Sequence, residues 1–435
     1  MRSESLISPP ASAPTRWLSH PGMLSLWCVA AAFGTYACMY GFRKPFTAGT
    51  YLDAESGASF KTWLVTAQVL GYTVSKFIGI RVIAEMPPER RTGFLLALIG
   101  AAELALLLFA ITPAPYNAGC LFLNGLPLGM VFGLVLGFLE GRRLTEAFVA
   151  GLCASFILAD GVTKSVGAGL LRWGIPEPWM PAAAGLVFLV PLVGFVWMLR
   201  QIPPPTAADI AARSARVPMG RKDRSAFLRQ HGLGLGLITS VYLLVTILRS
   251  LRADFAPELW AELGTTGQPG VFTRSELWVT LGVVLGNGLI VFVQDNRQAF
   301  FGALALSAGG LLLVMAAVLG VRLGGLDPFA FMVLVGLGLY LPYVAVHTTV
   351  FERLMALTRD PGNIGFLMYL ADAVGYLGYV TVMLVRRAGP VEGGLLDFFL
   401  HTALAAAVLS LLALAGVAHA FRAPTVAARH PLYSP

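Results

Sequence analysis

Two arginines, Arg43 in YACMYGFRKPF and Arg249 in VYLLVTILRSLRADF, stand at the ends of long apolar runs 206 residues apart, and Tyr36 and Tyr242 are separated by the same offset. A guanidinium does not shed its charge, so placing it in or near hydrocarbon is costly. Two of them at equivalent points of two half-chains point to one central site that wants an anion. The bland alternative for Arg43 is a side chain reaching the headgroups with Lys44 beside it. Tyr36, Tyr40 and Arg43 are spaced i, i+4, i+7, and Gln68, Tyr72 and Lys76 are spaced i, i+4, i+8. Each set falls on one helix face, and no carboxylate in the second segment neutralises Lys76. Phenols and cations on one face make a hydrogen-bonding wall for an oxyanion.

Further groups in apolar segments widen the candidate set. Asp160 and Lys164 are an i, i+4 pair with the acid first, the favourable direction on a helix. They are either a self-neutralising structural pair or a contribution to the anion site, with Asp160 able to take a proton. Tyr340, Tyr343 and His347 follow at i, i+3, i+7; His347 is a group that could titrate near neutral pH or simply be hydrogen-bonded. Tyr369, Asp372, Tyr376 and Tyr379 share a face, and Asp372 has the stronger claim of the two aspartates to couple transport or meet a substrate amine. Glu103 in GAAELALLLF is an isolated carboxylate, either protonated or facing the bundle. Glu140, Arg142 and Arg143 read as an anchor cluster.

These residues need helices to position them. The chain is 57% hydrophobic and 12% charged, and apolar runs of about 20 residues, enough to cross a bilayer, recur along it. The reading is an all-α polytopic membrane protein of twelve spans: 22–48, 60–84, 92–112, 116–139, 147–171, 179–200, 231–255, 274–294, 298–320, 327–352, 362–386 and 394–421. Residues 22–200 form one six-helix half and 231–421 the other. A cytoplasmic linker, 201–230, carries Arg213 and Arg216, and the tails are 1–21 (disordered) and 422–435. Of the 31 lysines and arginines, 19 fall on the side of the termini, which predicts that both termini are cytoplasmic. The four cysteines all lie in apolar segments with no CxxC or Cys/His cluster, so no disulfide framework, metal or cofactor is expected. The net charge of +8 is assigned to loops facing the cytoplasm, not to nucleic acid. No segment is large enough for a soluble catalytic domain, so no enzyme is expected.

YACMYGFRKPF followed by GYTVSKF resembles the start of the organophosphate:phosphate antiporter family of the major facilitator superfamily, which includes bacterial glycerol-3-phosphate and hexose-phosphate transporters. The match runs through Tyr36, Tyr40, Arg43 and Lys44, then Tyr72 to Phe77, then Arg249 with Asp254, Phe255, Ala256 and Pro257. Tyr340 before Leu341 and Pro342, and Gly375 to Tyr379, are similar to that family's tenth and eleventh helices. Where the family has a histidine in the fifth helix, this chain has ILADGVTKSVG. The resemblance implies the major facilitator fold, with the two arginines binding a phosphate at the centre of the membrane.

The functional expectation is secondary active transport of a small anionic solute, an organophosphate or another phosphorylated or carboxylated metabolite. Binding is assigned to Arg43, Arg249, Lys76, Tyr36, Tyr40, Tyr72, Tyr340 and Tyr376. Coupling or secondary roles fall to Asp372, Asp160, Lys164, His347 and Lys44. The expected partners are the solute and membrane lipid, with the protein a monomer in a bacterial-type inner membrane. The competing reading is a membrane-embedded sensor that binds the anion without moving it.

Overall fold

A computed structural model describes residues 20–51, 58–84, 86–139, 145–204, 221–358, 364–388 and 394–422. The cluster of Glu140, Arg142 and Arg143, the linker arginines Arg213 and Arg216, and the side chain of Tyr369 lie outside the described residues.

The chain is built from α1 (Pro21–Tyr40), α2 (Ala58–Ala84), α3 (Pro88–Ile111), α4 (Asn117–Leu139), α5 (Thr145–Arg172), α6 (Met180–Arg200) and α7 (Arg221–Asp254). There follow α8 (Ala256–Glu262), α9 (Gly270–Val291), α10 (Asn296–Arg322), α11 (Pro328–Ala345), α12 (Phe351–Thr358), α13 (Ile364–Ala388) and α14 (Leu395–Ala420). Local chemistry sets many of the starts. Proline occupies the first turn of α1, α3, α6 and α11, where its missing N–H is no loss. Asp295 and Asp327 cap α10 and α11 by accepting backbone N–H bonds.

Among the described residues, nine helical segments are long and apolar enough to cross a membrane. Of the twelve spans expected from sequence, α2 and α9 do not meet this measure, since they carry Lys61, Gln68 and Lys76, and Arg274, Glu276 and Asn287. In α13 only Leu370–Val385 qualifies, as a shorter apolar helix. Surface and interior are arranged as lipid requires. Val190, Leu285, Leu289 and Leu412 are exposed, while seven lysines and arginines are buried among the described residues.

In the first half α1 packs on α5 and α6, and α4 on α2 and α3; in the second α7 packs on α13 and α14, and α11 on α9 and α10. The halves meet mainly along α5 with α9 and α2 with α13. The contact of α2 with α4 needs glycine: a Cβ on Gly71 would lie 2.1 Å from the Phe122 carbonyl oxygen, and one on Gly125 2.3 Å from that of Gln68.

Two boundaries differ from expectation. The first span does not run as helix to residue 48. α1 ends at Tyr40, a tight turn carries Gly41 to Lys44, and one 3₁₀ turn covers Pro45–Ala48. Pro45 cannot supply the N–H that continuation needs, so Arg43 stands in the turn beyond the helix. α7 begins at Arg221, ten residues before the expected span, because RKDRSAFLRQ is itself a good helix former.

Candidate functional site

The turn that carries Arg43 is fastened by two amides. Gln68 on α2 donates to the Arg43 carbonyl at 2.8 Å and to Asn124 Oδ1 at 2.8 Å. Asn124 on α4 donates to the Phe42 carbonyl and to the Ala102 carbonyl, both at 3.0 Å. The carbonyls of the turn residues Phe42 and Arg43 are thereby satisfied inside the bundle, and the Arg43 side chain is set in a fixed place. Its guanidinium lies 3.8 Å from the centre of the Tyr72 ring and 5.7 Å from that of Tyr40. Tyr36 packs edge-on to Tyr40 and Phe132.

Arg249, on α7 of the other half, donates to the hydroxyls of Tyr343 at 3.2 Å and Tyr376 at 3.3 Å. Its guanidinium lies 4.1 Å from the Tyr343 ring centre. Tyr72 and Tyr376, one beside each arginine, meet edge-on at 5.3 Å across the halves. Both arginines line one cavity with Tyr40, Lys44, Asp160, Asp254, Tyr340, Tyr376 and Tyr379. It is narrow in this conformation, with about 330 Å³ of non-atom space once its open mouth is included.

The ionic pairing of the buried cations separates these two arginines from the rest. Lys44 bonds Asp254, Lys164 bonds Asp160, and Lys61 reaches Glu258 at 2.5 Å. Lys76 reaches Asp372 at 2.7 Å, and Arg252 reaches Glu276 at 2.7 Å. Arg43 and Arg249 are the two buried cations with no carboxylate among the described residues, and the Nε of each has no hydrogen-bond partner there. Burying an unpaired charge is expensive, so a cavity that keeps two of them is complementary to an anion.

The fold brings the sequence-derived residues together with some changes of company. Lys76, expected without a neutralising acid, is paired with Asp372 on α13 of the other half. Tyr242 donates to Asp372 and lies 2.6 Å from His347 Nε2, while His347 Nε2 is 3.4 Å from Asp372 Oδ1. Because the phenol proton goes to Asp372, His347 Nε2 donates to Tyr242, which leaves its Nδ1 without a partner. His347 sits in a single π-helical turn, Val346–Val350. Lys44 does not reach the headgroups; it is 7% exposed and bound to Asp254, whose other oxygen accepts from Tyr379 at 2.9 Å. The Tyr340 ring packs against Phe156 and Tyr343. Glu103 faces inward against Gly185, with neither oxygen hydrogen-bonded among the described residues.

Sequence reasoning missed the pairs Lys61–Glu258 and Arg252–Glu276, and Tyr343 as a ligand of Arg249. Arg252 had a signal, since it follows Arg249 by three residues in the same helix. Lys61–Glu258 had none beyond two charges near span ends. At the end of the bundle where α1 stops and α2 starts, the halves are tied by Lys44–Asp254, by Lys61–Glu258 and by Ser165 with Thr273 at 2.7 Å.

Three solved structures share this architecture over almost the whole chain. A D-xylose–proton symporter matches with a TM-score of 0.59 at 14% identity, covering 91% of this chain and 97% of its own. A bacterial homologue of the human lysosomal transporter Spinster, inward-facing and unoccupied, matches at 0.61 and 13%, covering 91% and 97%. The nucleoside transporter NupG matches at 0.60 and 13%, covering 92% and 99%. These likenesses establish the major facilitator fold. No curated protein matches the sequence significantly. A family model does match, over residues 45–423, and the chain therefore belongs to DUF5690, a family of unknown function with, in this member, the major facilitator fold.

Proposed function

We propose that this protein is a secondary active transporter of a small anionic solute, an organophosphate or another phosphorylated or carboxylated metabolite. The observation that carries the reading is the pairing pattern: among the described residues, five of the seven buried lysines and arginines have their own carboxylate, and Arg43 and Arg249, one from each half, do not. An anion between them would accept charge-assisted bonds from both halves at once. Tyr36, Tyr40, Tyr72, Tyr340 and Tyr376 would orient it, and Lys76, its charge offset by Asp372, would flank the site.

Holding the solute from both sides links binding to the relative position of the halves, the basis of alternating access. On this reading all twelve long helices cross a bacterial-type inner membrane, with both termini cytoplasmic. The end tied by Lys44–Asp254 and Lys61–Glu258 is then the outer gate, and the conformation is closed to the outside. Asp372, between Lys76, Tyr242 and His347, is the group through which protons would couple, with a counter-anion as the other route.

The test is counterflow in proteoliposomes loaded with phosphate, glycerol phosphates, sugar phosphates or carboxylates. Exchange of a labelled anion supports the transporter. Saturable binding of an anion with no exchange makes the protein a sensor, and absence of binding to any anion removes the clamp.

A further inference from the structure

Asp160 and Asp254 are the carboxylates that line the cavity. Both Asp254 oxygens are occupied, one by Lys44 and one by Tyr379. Asp160 is different. Its Oδ2 accepts from Lys164 one turn on, but its Oδ1 is enclosed and has no hydrogen-bond partner. Lys44 Nζ stands 4.0 Å away, beyond hydrogen-bond reach, and is held by Asp254. Asp160 is 4% exposed. A buried acceptor without a hydrogen bond is costly, more so when charged, and the described residues supply Oδ1 with no donor.

The cavity wall therefore offers groups of both kinds. One part of its wall offers the unpaired donors of Arg43 and Arg249, and another offers an unpaired acceptor on α5. We infer that Asp160 Oδ1 receives a hydrogen-bond donor of the solute, a hydroxyl or an ammonium, at the end remote from its anionic group; this rests on the arginine pair holding the anion. The charges of Lys44, Asp160, Lys164 and Asp254 cancel, so the subsite presents an acceptor more than a field. A neutral hydroxyl and an ammonium can both meet it. An alkyl chain leaves the oxygen unpaired, and sites built to hydrogen-bond an OH or NH reject analogues that lack it.

The experiment is calorimetric titration of the full-length protein in lipid nanodiscs with inorganic phosphate, ethyl phosphate, 2-hydroxyethyl phosphate and 2-aminoethyl phosphate. Propionate, 3-hydroxypropionate and β-alanine form a parallel carboxylate set. The hydroxyl or amino compound should bind at least about tenfold more tightly than its alkyl counterpart, and the larger gain identifies the donor. That ratio should fall towards one in Asp160→Ala/Lys164→Met and equally in Asp160→Leu/Lys164→Met, each of which removes the acceptor and both charges of the pair and so keeps the site neutral. A ratio near one in the wild type, with phosphate or propionate still bound, overturns the subsite and leaves the arginine pair standing. A ratio that survives both variants, with only the melting temperature lowered, makes Asp160 structural and also overturns it. If none of the seven compounds binds, the subsite and the arginine pair fall together.

Discussion

Three arginines are buried among the described residues, and they should respond differently to the same substitution. Arg43 and Arg249 face the cavity without a carboxylate, whereas Arg252 holds Glu276 at 2.7 Å and donates to the Met332 carbonyl at 2.8 Å. Lysine keeps the charge in each case but loses the planar fork. At Arg43 or Arg249 the loss is one charge-assisted hydrogen bond to the anion, about 1.5–3 kcal/mol. That corresponds to a roughly ten- to hundredfold weaker dissociation constant. At Arg252, lysine loses the fork whose separate nitrogens hold Glu276 and the Met332 carbonyl, so the cost, about 1–3 kcal/mol, falls on stability. The assay is titration of each variant in nanodiscs with the tightest-binding anion found for the wild type, alongside thermal unfolding. Arg43→Lys and Arg249→Lys should lose affinity and keep their melting temperature, and Arg252→Lys should do the reverse. Wild-type affinity in both cavity variants, or an equal loss in Arg252→Lys, would refute the reasoning, since the distinction between paired and unpaired arginines would then carry no functional weight.

Other expectations follow from the same geometry. Lys76→Met leaves Asp372 buried without its lysine and should destabilise the protein by about 3–5 kcal/mol, while Lys76→Met/Asp372→Asn should recover most of the loss; equal melting of wild type and single variant would show that the pair contributes nothing. Ser165 and Thr273 hydroxyls lie 2.7 Å apart across the halves, so Ser165→Cys/Thr273→Cys should form a disulfide under mild oxidation and stop anion exchange until reduced. Exchange that continues at full rate in the cross-linked protein would mean that this end does not open. Gly125→Ala drives a methyl to within 2.3 Å of the Gln68 carbonyl oxygen, where Gly100→Ala meets nothing within 4 Å. The first should lower the melting temperature sharply and the second should not, and identical melting curves would contradict the close α2–α4 packing.

Much of the architecture was legible in the chain because its causes are local or periodic. Apolar runs of membrane length mark most of the helices, and prolines and aspartates mark several starts. The i, i+4 spacing of Asp160 and Lys164 already places them together, and the structure has that ion pair. The two arginines stood out because a charge in an apolar run is conspicuous without any knowledge of its neighbours. The end of α1 was misjudged for an equally local reason: the apolar pattern continues through Phe42 and Phe46, but Pro45 interrupts the hydrogen-bond ladder.

Tertiary structure alone decided which charges cancel. Lys44 finds Asp254 at a separation of 210 residues, Lys61 finds Glu258 at 197, and Lys76 finds Asp372 at 296. No helical period links positions so far apart; their meeting depends on how the halves close along α2–α13 and α5–α9. Sequence thus determines that this chain buries many cations in an apolar bundle, because composition and spacing are written residue by residue. Which cations remain unpaired follows only from packing, because Coulomb attraction depends on distance in space and not along the chain.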